Sequence, residues 1–146
     1  MKIAIGNDHA AVEMKNDLIA YLTEKGHEVT NFGTDTNDSC DYPDYAKKVC
    51  DAVNAKDADF GILCCGTGAG MCIAANKIKG IRAMLCDNTT TAHLVKEHNN
   101  CNVITLGARV TGILVAHEIV DAYMGAEFMG GNHERRINKF MAFEAE

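Results

Sequence analysis

The sequence predicts an α/β fold in which a five-stranded parallel sheet carries helices on both faces. Three observations predict it. Five short apolar runs recur along the chain, each has the length of a strand, and segments of helical periodicity separate them. Strands that alternate with helices pair in parallel through right-handed crossovers, which places helices on both sides. The chain has 146 residues, enough for one domain that buries about 70% of the unfolded chain's surface.

The first run, Lys2–Gly6, leads into a helical segment, His9–Lys25. Val12, Leu18, Ile19 and Leu22 fall near one face of that segment, and Gly26 follows as a C-terminal cap. The second run is Glu28–Phe32. A loop rich in Asp, Asn and Thr, Gly33–Asp41, separates it from a helix over Tyr42–Ala55, with Pro43 in the first turn where proline is tolerated. The third run, Phe60–Cys64, ends in a glycine-rich turn, and a helix over Met71–Lys77 follows. Ile81–Cys86 is the fourth strand, Thr89–His98 the next helix, and Asn102–Gly107 the fifth strand. Val110–Met124 and Glu134–Glu144 are the last helices, broken by Gly130-Gly131. No linker, internal repeat or low-complexity segment interrupts this order, so residues 1–146 read as a single domain.

Composition excludes several function classes. Hydrophobic residues make up 47% and charged residues 23%, an ordinary globular balance. The formal net charge of −6 argues against nucleic-acid or anionic-membrane partners. No apolar run approaches the ~20 residues of a membrane span. The seven cysteines are odd in number, Cys64 and Cys65 are adjacent, and no signal peptide is evident. A disulfide framework is therefore not expected, and a cytoplasmic, reducing compartment is.

In open parallel sheets, ligands bind beyond the carboxyl ends of the strands. That rule gathers Gly6-Asn7-Asp8-His9, Cys65–Gly70, Asp87-Asn88 and Gly107-Ala108-Arg109 into one region. The run Cys64-Cys65-Gly66-Thr67-Gly68-Ala69-Gly70 is the most informative of these. Its glycines allow close backbone approach, and the helix that follows offers unpaired N–H groups to an anion. It lacks the Lys-Ser/Thr of a Walker loop and the spacing of a dinucleotide fingerprint. Neighbouring strand residues face opposite sides, so one of Cys64 and Cys65 packs into a helix layer. Cys65 is nearer the helix start, where a thiolate is favoured; it is read as reactive, with Cys64 and Cys72 as core.

Neither Cys64-Cys65 nor the His93/His98 pair has a usual metal-ligand spacing, so no metal is expected. Taken alone, Asp8 reads equally as a helix N-cap beside a surface His9, and His98 as a solvated helix end. His27, His93 and His117 read as structural or exposed. Arg109 is one of only four arginines and follows a strand end. Arg135 and Arg136 open a helix with positive charge, which the dipole disfavours unless an anion is supplied.

The ordered set Gly6-Asn7-Asp8-His9, Asp41-Tyr42-Pro43, Cys65–Gly70 with Ile73–Lys77, Glu97-His98-Asn99, Asn102-Val103, Gly107-Ala108-Arg109 and Gly130-Gly131-Asn132-His133 resembles the ribose-5-phosphate isomerase B and galactose-6-phosphate isomerase family. The resemblance spans essentially the whole chain. It implies a Rossmann-like three-layer sandwich whose C-terminal helix reaches a partner subunit. It further implies a homodimer or homotetramer with sites at the subunit interface, acting on a sugar phosphate without metal or cofactor. The family interconverts aldose and ketose phosphates through a cis-enediolate. Carried onto this chain, Cys65 is the base, Thr67 and the amides of Gly66, Gly68, Ala69 and Gly70 hold the enediolate oxygens, and Asn99 hydrogen-bonds them. His98 opens the furanose ring and Asp8 positions the sugar hydroxyls. His9, Arg109 and Arg136 bind phosphate.

One family branch carries a glutamate base at the position of Met71, so this chain falls in the cysteine branch. Asn132 stands where many members carry arginine: either Arg135 compensates, or the anion site is weaker, or the preferred sugar differs. Ribose 5-phosphate is the expected substrate. Galactose 6-phosphate, allose 6-phosphate, a non-catalytic sugar-phosphate-binding module and a Cys64-Cys65 redox sensor are the alternatives.

Overall fold

A computed structural model describes residues 1–146. Five strands form the sheet: β1 (Lys2–Asn7), β2 (Glu28–Asn31), β3 (Phe60–Cys65), β4 (Ala83–Leu85) and β5 (Val103–Gly107). Six helices accompany them: α1 (Val12–Glu24), α2 (Tyr42–Asn54), α3 (Ala69–Asn76), α4 (Thr89–Asn99), α5 (Ile113–Met124) and α6 (Asn132–Met141). A 3-10 turn over Ala142–Ala145 ends the chain. No helix is long and apolar enough to cross a membrane.

All strand pairs are parallel, in the order β2-β1-β3-β5-β4. The period of two along each strand splits the core into two layers. Ile3, Ile5, Ile62, Cys64, Ile104 and Leu106 face α1, α4 and α5. Ala4, Leu63, Cys65, Ala83 and Val103 face α2 and α3. This is the three-layer, Rossmann-like arrangement the sequence implied. β3 and β5 are buried at every position because helices cover both faces.

From β1 the chain winds outward to β2 on one side, and β3, β5 and β4 fill the other. The winding therefore reverses between β1 and β3. The crevice beyond the carboxyl ends of those two strands is where such sheets bind ligands. Asp8 and His9 follow β1 there, and Gly66 follows β3.

Some boundaries differ from the sequence reading. α1 begins at Val12 and not at His9, because Asp8 forms a turn first. Its carboxylate accepts from Ala10 N at 3.0 Å, and its carbonyl accepts from Ala11 N at 3.2 Å. α5 likewise starts at Ile113 and not Val110, since Val110 and Thr111 both donate to the Gly107 carbonyl. β4 is shorter than Ile81–Cys86, because Arg82 N leaves the ladder to donate to Asn102 Oδ1. On α1 the buried face is Met14, Lys15, Leu18 and Leu22, with Val12 at its rim. Lys15 is fully buried and its ammonium pairs with Asp35 of the Gly33–Asp41 loop. Cys72, expected in the core, is half-buried and points its thiol at the Ala83 carbonyl.

Candidate active site

The glycine turn is shaped by its neighbours as much as by its own residues. Gly68 has φ +82°, a region costly to other residues, and caps α3. Buried Thr105 on β5 donates its hydroxyl to the Gly68 carbonyl at 2.8 Å. Gly107 lets the turn cross β5, since a Cβ there would stand 2.5 Å from the Thr67 carbonyl oxygen. Ala108 N and Arg109 N donate back to Cys65 O and Gly66 O at 2.8 and 3.0 Å. The turn is thereby clamped to the end of β5, and Arg109 is carried over Gly66: a Cβ on Gly66 would lie 3.4 Å from Arg109 Nη1.

Inside the turn, Gly68 N donates to Cys65 Sγ at 3.1 Å. Negative charge developing on that sulfur meets an N–H dipole. Thr67 is exposed and its hydroxyl accepts from Ala69 N at 3.2 Å. The N–H groups of Gly66 and Thr67 make no hydrogen bond within the chain. With the free N–H groups of the first turn of α3, they form a cradle of donors beside the thiol. Cys64 points into the opposite layer, fully buried, and burial pushes its thiol well above the ordinary range. The two adjacent cysteines are both buried, in opposite layers and not with one alone in a helix layer, and only Cys65 has an N–H donor on its sulfur.

Asp8 is buried beside this cradle, its backbone N–H held on the Cys64 carbonyl at 3.1 Å. His9 is fixed from the Gly33–Asp41 loop, where Cys40 N donates to its Nδ1 at 3.3 Å. A backbone N–H can only donate, so Nδ1 accepts and the ring proton sits on Nε2. The loop itself is pinned by the Lys15–Asp35 pair and by Asn7. Asn7 is fully buried and its Nδ2 donates to the Thr34 carbonyl at 3.1 Å. Asn7 Oδ1 accepts no hydrogen bond and stands where a Cβ on Gly33 would be.

The remaining candidates lie elsewhere. α4 starts at the carboxyl edge and runs back across the sheet; its 11 residues span about 16 Å at ~1.5 Å per residue. His98 and Asn99 therefore sit near the amino ends of the strands, where Arg82 Nε donates to the Asn99 carbonyl at 3.2 Å. α6 packs on α4 there, bringing Asn132 and Arg136, both exposed, to the same side. Cys65, Thr67, Asp8, His9 and Arg109 form one group. His98, Asn99, Asn132 and Arg136 form another, at the far end of the sheet. One chain does not bring the two together.

Three contributors escaped the sequence reading. Tyr42 was noticed only as part of Asp41-Tyr42-Pro43. Its ring covers Gly70, where a Cβ would stand 2.8 Å from Tyr42 Cζ. The signal was available, because α2 begins at the carboxyl edge. Thr105 and the Cys40 backbone act through hydrogen bonds to residues 37 and 31 positions away, which no local pattern displays. No three His, Cys, Asp or Glu side chains cluster as a metal-ligand set.

Comparison with known proteins gives a consistent result. The family model described as Ribose/Galactose Isomerase matches residues 3–140. Ribose-5-phosphate isomerase B of Escherichia coli is 46% identical over 98% of this chain and 96% of its own. The structure of ribose-5-phosphate isomerase B from Clostridium thermocellum superposes with TM-score 0.98 at 46% identity, covering 99% of this chain and 98% of that one. The Mycoplasma genitalium enzyme, solved with bound ribulose 5-phosphate, superposes with TM-score 0.94 at 40% identity, covering 99% and 97%.

Proposed function

The chain belongs to the ribose/galactose isomerase family, and we propose that it interconverts ribose 5-phosphate and ribulose 5-phosphate through a cis-enediolate with Cys65 as base. The observation that carries this reading is the Cys65 thiol, 3.1 Å from the Gly68 N–H, at the lip of a cradle of unpaired amides. Cys65 takes the proton from C2 of the open aldose. The electron pair forms the C1–C2 double bond of the enediolate, the O2 hydroxyl proton passes to O1, and the thiol returns its proton to C1 as the C2 carbonyl forms. Thr67 and the amides of Gly66 and Gly70, joined by those of Gly68 and Ala69 as they turn from Cys65 Sγ and Thr67 Oγ1, hold the enediolate oxygens, an effect worth about 3–4 kcal/mol for an oxyanion-hole donor in other enzymes. Asp8 orients the sugar hydroxyls. His9 donates Nε2–H toward the phosphate, which Arg109 also binds. No metal or cofactor takes part.

Two copies of the chain make one site. His98, which opens the furanose ring, and Asn99, which hydrogen-bonds the enediolate, come from the second copy, as do Asn132 and Arg136 at the phosphate. Three observations support this. The two groups of residues lie at opposite ends of one sheet. α6 opens at Asn132 with Glu134 in its first turn, and not at Glu134 as the sequence suggested, so the dipole makes no demand; but Arg135 and Arg136 in its second turn are exposed and without an ion pair in their own chain, open to an anion from a neighbour. Large apolar residues flank the first group in the open, with Ile73 63%, Val110 69% and Leu114 75% exposed. The assembly is a homodimer, alone or paired into a tetramer, formed by one domain per chain in the cytoplasm.

Asn132 brings no charge to the phosphate, which favours testing larger sugars beside ribose. Purified protein is assayed for ketose formation from ribose 5-phosphate, allose 6-phosphate and galactose 6-phosphate. Ribose 5-phosphate is the expected best substrate, and Cys65→Ser abolishes most turnover while sugar phosphate still binds. Near-normal turnover by Cys65→Ala contradicts the mechanism. Binding without turnover by the unaltered protein favours a non-catalytic module.

A further inference from the structure

The last turn of α4 is held from three sides. Arg82 donates to the Asn99 and Asn100 carbonyls, with Nη2 to Asn100 O at 2.8 Å. Met129 N donates to the Glu97 carbonyl at 3.0 Å. The chain then reverses through Gly130 and Gly131, whose φ angles of +66° and +59° are suited to glycine. His133 N closes that reversal on the Gly130 carbonyl at 3.1 Å. The result is that the His133 ring lies parallel to the His98 ring, with centroids 4.4 Å apart and 7° between planes. Both rings are half-buried.

An imidazole turns about its outer side-chain torsion in a broad, shallow well. Proton delivery requires one ring nitrogen to point, in the ring plane, at the receiving oxygen. A parallel ring on one face removes most of that rotation and leaves the nitrogen edge free. We propose that His133 is a positioning residue for ring opening: it stacks on His98 and fixes the plane in which His98 presents its proton to the furanose oxygen. This rests on the reading of His98 as the ring-opening acid, and it predicts a role for the shape of His133 and not for its nitrogens.

The test compares His133→Ala, which removes the stacked face, with His133→Phe, which keeps it. Ribose 5-phosphate must be ring-opened before it reacts. Two acyclic probes bypass that step: erythrose 4-phosphate, whose 4-hydroxyl is esterified, and ribulose 5-phosphate, whose C1 hydrogen is followed as it exchanges with solvent deuterium. His133→Ala is expected to lower kcat/KM on ribose 5-phosphate at least about tenfold more than on the acyclic probes, and His133→Phe to recover most of the loss. Equal loss on ring-closed and acyclic substrates overturns the proposal, as does no loss, or a His133→Phe as impaired as His133→Ala. A thermal melt of both variants separates misfolding from mispositioning. If the unaltered protein turns over neither class of substrate, the isomerase reading itself fails. If His98→Ala still isomerises ribose 5-phosphate, His98 is not the acid.

Discussion

Gly68→Ala probes the turn on which the chemistry depends. At φ +82° an L-residue costs about 1–2 kcal/mol. The new Cβ would stand 2.5 Å from Leu85 Cδ1 and 2.9 Å from the Leu106 carbonyl carbon. The leucine tip can move, but the β5 backbone cannot, so overpacking adds about 1–3 kcal/mol. Reduced freedom of the unfolded chain returns about 0.4–1 kcal/mol. The net loss is about 1–4.5 kcal/mol, which for a chain of this size lowers Tm by roughly 3–15 °C. Displacing the Gly68 N–H from Cys65 Sγ by even an ångström lowers kcat by about 100-fold. The assay is thermal unfolding by circular dichroism together with turnover of ribose 5-phosphate. Gly112→Ala is the control: its φ is −69°, a Cβ there meets nothing within 4 Å, and the weaker N-cap it gives α5 is offset by reduced freedom of the unfolded chain, so its stability changes by no more than about 1 kcal/mol. A Gly68→Ala protein that melts with the unaltered chain and turns over normally refutes the reasoning.

Burial raises the thiols of Cys50 and Cys86 to about 12 and that of Cys101 to about 11. Only the unfolded chain loses these protons between about pH 8.5 and 11, so stability falls as pH rises through that window; urea midpoints at pH 8 and 10 check it. Over the same range alkylation followed by mass spectrometry should spare these three and Cys64 until the chain unfolds. Thr105→Val removes the donor to the Gly68 carbonyl, and should cost about 1 kcal/mol in denaturant titrations with a fall in kcat and little change in KM. Turnover should be unchanged after dialysis against a chelator, measured by ketose formation; loss that added metal restores would contradict Cys65 as sole base.

Much of the site's first half was legible in the sequence. Short apolar runs marked the strands, and the rule of carboxyl ends then placed Asp8, His9, Cys65 and Arg109 together. That Cys64 and Cys65 face opposite layers followed from strand alternation, and nearness to the helix start singled out Cys65. What escaped was non-local. Asp8 looks like a helix N-cap, but its carboxylate and carbonyl close a turn that delays α1 by three residues. The burial of Lys15 has no local signal, because its partner Asp35 lies 20 residues on. Resemblance tied His98 to Cys65, yet α4 carries it to the opposite end of the sheet. A single sequence does not display the second copy that would unite them.

Subunit complementation tests that union most directly. Cys65→Ala and His98→Ala chains, each inactive alone, are mixed, unfolded together and refolded. With sites built from two chains, half of the dimers are mixed and each has one intact site, so about a quarter of the unaltered activity returns. With all site residues supplied by one chain, every site keeps a defect and no activity returns. Recovery near a quarter is the result predicted, and a mixture as inactive as its parts contradicts the two-chain site.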